Sequence, residues 1–254
     1  MTAVEKYNAR VEKINSLVCV GLDTAEFPQF EFNRRIIDQT AKFAAAYKLN
    51  IAFYESHGEA GLAELKKTMD YLRATYPEIF TICDAKRGDI GHTNEKYAKA
   101  IFDYLGFDAV TLHPYLGREA LEPFLNRADK AAIILCKTSN LGGGELQDLQ
   151  ISGNPLWRVL AEKVFKDWNT NGNCMLVVGG TYPKELAEIR KIVGDMTLLV
   201  PGIGVQGGDV RAVCEAGLNS QKYGLIINSS RGIIFADDPG AAARKLRDEI
   251  NEYR

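Results

Sequence analysis

Residues 80–106 read FTICDAKRGDIGHTNEKYAKAIFDYLG, an apolar run that ends abruptly in charge and then passes into helical spacing. FTIC carries aromatic and β-branched side chains without polar alternation, the pattern of a strand buried on both faces. NEKYAKAIFDYLG (94–106) returns apolar residues at the intervals of one helix face. The stretch predicts a strand, a charged loop and a helix. It also raises a question, because Asp84, Lys86 and Asp89 crowd a strand end, where charge is costly unless it is paired or used.

The same grammar recurs along the chain. Apolar runs fall at SLVCVGL (16–22), YKLNIAF (47–53), FTIC (80–83), AVTL (109–112), AAIILC (131–136), CMLVVG (174–179), TLLV (197–200) and GLIIN (224–228). Helix-length segments lie between them, among them AGLAELKKTMDYLRATY (60–76) and PKELAEIRKIVG (183–194). The latter starts on proline and ends on glycine, the ordinary helix punctuation. Eight strands alternating with helices predict a closed (β/α)8 barrel, the TIM-barrel architecture, ahead of an open doubly wound sheet. No Pro- or Ser-rich linker divides residues 1–254, so a single domain is expected.

Composition narrows the function classes. The 254 residues are 46% hydrophobic and 25% charged with a net charge of -2, and no lysine–arginine run offers a footprint for nucleic acid. Cys19, Cys83, Cys136, Cys174 and Cys214 are odd in number and lack CxxC spacing, which reads as reduced thiols. The first residues are charged throughout, and no stretch approaches the roughly 18 apolar residues of a membrane span. The expectation is a cytoplasmic protein with no membrane partner and no nucleic-acid partner.

A barrel of this kind builds its site from the C-terminal ends of its strands. Those ends carry Asp23; Lys48 with Asn50; Asp84 with Lys86; His113; Lys137 with Ser139; Thr181; Gln206; and Asn228 with Arg231. In an extended chain Asp84 and Lys86 share a face. Asp89 follows in the loop or first helical turn, where a helix N-terminus favours a carboxylate. Carboxylates on either side suit Lys86 to act as an acid or a cation rather than as a Schiff-base nucleophile. A surface salt-bridge cluster is the common fate of such groupings, but the shared strand-end position favours a site.

PGIGVQGGD (201–209) and NSSRG (228–232) follow the last two strands, where many such barrels hold a phosphate on open backbone N–H groups and a short helix. Arg231 can grip phosphate oxygens with two donors, and Gln206 can reach from a glycine-flanked loop. The alternative for Arg231 is a salt bridge to Asp237 or Asp238. In KTSNLGGGELQ (137–147), Ser139 sits at a strand end ahead of a flexible glycine loop, able to meet a planar polar ring or simply to cap a turn. His57, His92 and His113 are not spaced as ligands, so no metal is expected. GIGVQG is no dinucleotide fingerprint, and no GxSxG elbow is present.

Together these motifs make the sequence resemble the orotidine 5'-phosphate decarboxylase family, whose D-x-K-x-x-D-I-x-x-T signature appears as Asp84, Lys86, Asp89, Ile90 and Thr93. VGLD, AAYKLNIAFYE, KTSN, VVGGTYP, PGIGVQGGD and SSRG fall in the family's order, so the resemblance covers nearly the whole chain. It implies cofactor-free decarboxylation of orotidine 5'-monophosphate to UMP by a homodimer in which Asp89 and Thr93 reach into the neighbouring subunit's site. It further implies a charge row of Lys48, Asp84, Lys86 and Asp89, with Lys86 as proton donor to C6. Asp23 would hold a ribose hydroxyl, Ser139 the pyrimidine edge, and Gln206 with Arg231 the phosphate; Ile90, Thr93 and Ser230 complete the implied binding set. Leu141 departs from the family, where proline often follows KTSN. Two rivals share the barrel: a Mg2+-dependent sugar-phosphate aldolase or decarboxylase, and a catalytically silent phosphate-ligand sensor.

Overall fold

The computed structural model describes residues 1–203 and 208–254. The eight apolar runs become eight parallel strands: β1 (Val18–Gly21), β2 (Ala46–Asn50), β3 (Phe80–Arg87), β4 (Ala109–Leu112), β5 (Ala131–Lys137), β6 (Cys174–Val178), β7 (Leu198–Pro201) and β8 (Leu225–Ser229). Each pairs with its sequence neighbours, and β8 pairs with β1 to close the barrel. Apart from Asn50, the half-exposed end of β3, Leu135 and Pro201, every strand residue is buried. Helices therefore cover the outside while side chains fill the inside, which is why the runs lack alternation.

The helices confirm the periodicity. Pro183–Val193 begins on proline, buries Leu186, Ile189 and Val193 on one stripe, and stops at Gly194, whose φ of 58° is left-handed. Gly91–Ala98 starts three residues ahead of the expected segment and continues as a π-helical turn, Lys99–Leu105. A helix the sequence reading did not single out, Ala3–Ile14, is opened by a capping box between Thr2 and Glu5. Its Tyr7 hydroxyl donates to the carbonyl of Leu225, the first residue of β8, so this helix covers the N-terminal end of the barrel.

Three boundaries differ from expectation. β2 ends at Asn50, and the apolar residues that follow enter a one-turn helix, Ala52–Glu55. β3 runs four residues beyond FTIC, through Asp84 to Arg87. The glycine segment after Ser139 forms a 3-10 turn (Leu141–Gly143), a short helix (Gly144–Gln147) and a small antiparallel pairing of Gln150–Ile151 with Asn154–Pro155. Side-chain bonds from Gln147 to Thr138 hold it, which glycine content alone could not reveal. All five cysteines are buried and free.

Candidate active site

The C-terminal strand ends surround a cavity of about 520 Å³. Its base carries a chain of alternating charge. Lys48 on β2 donates to Asp23 Oδ2 at 3.3 Å and to Asp84 Oδ2 at 3.0 Å. Lys86 donates to the other oxygen of Asp84 at 2.6 Å. Asp23 is fixed in turn by the Ser230 hydroxyl at 2.8 Å and the Asn50 N–H at 3.1 Å. The row reads Asp23, Lys48, Asp84, Lys86, so Asp23 extends it beyond Lys48, at the end opposite to the one where Asp89 was expected.

Lys86 does not follow the expected extended alternation. Its φ is 46°, a left-handed conformation that a non-glycine residue adopts only when its surroundings hold it there. The β3–β4 register shifts between Cys83 and Arg87, a bulge in the strand. Thr111 on β4 bridges the gap: its hydroxyl accepts from the Lys86 N–H at 3.0 Å and donates to Asp84 Oδ1 at 2.9 Å. The bulge, rather than pleat geometry, brings the Lys86 ammonium onto Asp84. Thr111 was missed because a threonine inside AVTL reads as an ordinary strand former.

Burial decides the electrostatics. Side-chain exposure is 6% for Lys48 and 11% for Asp84, against 49% for Lys86. Burial acts to raise the Asp84 carboxyl, but Lys48 and Lys86 outweigh it and hold it well below the usual carboxylate range. Burial likewise acts to lower Lys48, and Asp23 with Asp84 overcomes it, raising the ammonium above the ordinary lysine value. Lys48 and Asp84 are thus locked in charged form, and Lys86 is the cation of the row with room to move.

The other strand ends complete the walls. Ser139, Thr138, Asn140 and Gln147 form one side, and Ser230 and Arg231 the other, with Leu135, Val177 and Leu199 as an apolar lining. Arg231 makes no ion pair with Asp237 or Asp238 among the described residues; Asp238 instead caps the last helix through the Ala241 N–H. Two glycines are required by contact. A Cβ on Gly21 would lie 1.9 Å from Ser230 Oγ, and one on Gly179 would lie 2.9 Å from the Ser139 backbone nitrogen.

Several expected residues are not brought together here. Asp89 and Ile90 are exposed, Thr93 is half-buried, and none of the three lines this cavity. Asp89 lies two residues ahead of the helix Gly91–Ala98, where its carboxylate accepts from the Ile90 N–H. His113 packs behind Gly88 instead of entering the cavity, and Thr181 is exposed outside it. Gln206 lies outside the described residues. Gln147, which the sequence reading did not single out, reaches the cavity because the short helix after Ser139 folds back. Among the described residues, no group of three His, Cys, Asp or Glu side chains could hold a metal ion, and no helix is long and apolar enough to cross a membrane.

The family model described as orotidine 5'-phosphate decarboxylase / HUMPS family matches residues 16–246. The chain is 45% identical to the orotidine 5'-phosphate decarboxylase of Janthinobacterium sp. (strain Marseille), covering 100% of this chain and 99% of the relative. It is 46% identical to that of Christiangramia forsetii, over 97% and 96% of the two chains. Among solved structures, Leishmania donovani OMP decarboxylase superimposes with a TM-score of 0.94 at 41% identity, covering 100% and 99% of the two chains.

Proposed function

The chain belongs to the orotidine 5'-phosphate decarboxylase / HUMPS family, and from that membership we propose how it converts orotidine 5'-monophosphate to UMP and carbon dioxide in pyrimidine biosynthesis. It is a carboxy-lyase. Breaking the bond between C6 and the carboxylate leaves the electron pair on C6, with no adjacent carbonyl to receive it. Fixed positive charge must then stabilise the carbanion. In our reading Lys86 is that charge: its ammonium faces the developing pair, transfers its proton to C6 to complete UMP, and regains a proton from water. Carbon dioxide leaves neutral.

The observation that carries this reading is the Asp23–Lys48–Asp84–Lys86 row at the base of the cavity. Asp84, held anionic between two lysines, orients the Lys86 ammonium without competing for its proton. Asp23, itself held by Ser230, is the ribose-hydroxyl contact, Ser139 meets the pyrimidine edge, and Arg231 takes the phosphate together with Gln206. Binding the phosphate at a distance from C6 supplies energy that orders the site around the ring.

Asp89 and Thr93 belong, in this reading, to the site of a second subunit in a homodimer. The exposure of Asp89 and the absence of both from this chain's own cavity support it. Mixed dimers of inactive Asp89→Ala and Lys86→Ala chains should regain part of the activity. Heterodimers demonstrated to form without any recovery would overturn the shared site.

The experiment that tests the chemistry follows the ultraviolet change of orotidine 5'-monophosphate with purified protein, with and without chelator, beside Lys86→Ala. Chelator-resistant conversion should fall by about 10⁴-fold or more in the variant, as expected when a proton donor and a stabilising charge are lost together. UMP binding should persist. Substantial residual turnover in Lys86→Ala would remove it as the donor, and conversion abolished by chelator would point to the Mg2+-dependent rival.

A further inference from the structure

Lys137, the last residue of β5, is a buried cation that the proposed chemistry does not use. Its side chain is 2% exposed. The ammonium donates to Asp148 Oδ1 at 2.6 Å and lies 4.8 Å from the centroid of the Tyr182 ring. Asp148 is the residue that ends the helix Gly144–Gln147, so the ion pair ties the strand end to the far end of the segment that begins at Thr138. A second clasp closes the same segment: the Thr138 N–H donates to Gln147 Oε1 at 2.9 Å, and the Gln147 amide donates to Thr138 Oγ1 at 2.8 Å.

Between these clasps stand the four side chains that face the cavity from this side, Thr138, Ser139, Asn140 and Gln147. Tyr182 arrives from the turn after β6, where Gly179 packs directly against the Ser139 backbone and its N–H donates to the Lys137 carbonyl at 2.8 Å. Lys137 thus joins three pieces of backbone at one point: the end of β5, the end of the returning helix and the turn after β6. A methionine could fill the same volume without desolvating a charge. What the charge adds is direction, since a buried ammonium must meet its carboxylate and the aromatic face in one geometry.

We propose that Lys137 is a positioning residue which, through Asp148 and Tyr182, sets the 138–147 wall in the shape that meets the pyrimidine base. The proposal rests on the reading of this wall as the base-binding side of the cavity. It separates two halves of the nucleotide: the wall governs the base, while Arg231, on the far side, governs the phosphate.

The test is calorimetric affinity of Lys137→Met and of Asp148→Ala for UMP and for ribose 5-phosphate, which lacks the base. Asp148 is half-exposed, so its replacement keeps the core packed if the lysine variant does not fold. Each variant should lose about tenfold or more in UMP affinity, the equivalent of one well-placed contact. Ribose 5-phosphate affinity should stay within about twofold. Equal losses for both ligands, or no loss for either, would overturn the proposal. Ser139→Ala is read in the same way: an unchanged ligand ratio there would remove Ser139 as the base contact, while the Lys137 and Asp148 ratios would still decide the wall's role.

Discussion

Two cations are shielded from solvent almost equally at opposite ends of the barrel. Arg10, at the N-terminal end, is 5% exposed, and Lys48, at the C-terminal end, is 6% exposed. Arg10 spends its donors chiefly on backbone, reaching the carbonyls of Ala44 and Ala41, with Glu78 as its one carboxylate. Burial lowers its pKa despite Glu78. Lys48 lies between two carboxylates, which overcome its burial and raise it. The difference is in the partners. Carbonyls of a fixed loop satisfy a cation and staple a helix to a strand, whereas carboxylates beside an open cavity create a charge pattern that a ligand can read.

Breaking the upper pattern should have the largest effect. Asp84→Asn removes the charge that orients Lys86 and leaves buried Lys48 with Asp23 alone, so kcat should fall by about 10³-fold and Tm should fall with it, measured by the nucleotide assay and thermal unfolding. At the other end the two effects should separate. Arg10→Met leaves two buried carbonyls without donors and should lower stability by about 3 kcal/mol in urea unfolding, while kcat of the folded enzyme stays unchanged.

A smaller effect sharpens the contrast within the site itself. Arg231→Ala removes binding remote from C6, so KM should rise about tenfold or more with kcat changed less. An unchanged KM would take Arg231 out of the phosphate site. The smallest effect is on pH dependence, and it has a sign. Asp84 is depressed in the fold, so its stabilising contribution is complete above about pH 4, the unfolded value, and is lost as pH falls toward its folded value. Lys48 is raised, so its contribution is complete below about pH 10 and is lost only as pH rises further. Stability from this pair should therefore be flat across neutral pH. Lys48→Met should move the acid limb upward, because Asp84 loses the buried one of its two counter-charges; an unmoved limb would uncouple the two.

Much of this was legible before any coordinates. Near-continuous apolar runs placed all eight strands, because a strand covered on both faces has no polar face to display. The strand-end rule placed Asp23, Lys48, Asp84, Lys86, Ser139, Asn228 and Arg231 around one cavity, since a barrel directs every such end to the same side. The same rule overreached at His113, which packs against Gly88, and at Thr181, which is exposed outside the cavity. It was silent on the helix Ala3–Ile14, whose capping box is plain in Thr2 and Glu5 once looked for.

What the sequence by itself determined was residue type, order and period: a closed barrel and the polar ends of its strands. Only the tertiary structure decided which of them touch. Asp23 extends the row beyond Lys48, Thr111 enters it, and Gln147 and Lys137 shape the facing wall, because each contact joins separate segments of the chain. The left-handed turn at Lys86 is the clearest case. Pattern alone places its side chain by alternation, while a bulge held by a threonine from the next strand sets where the ammonium stands.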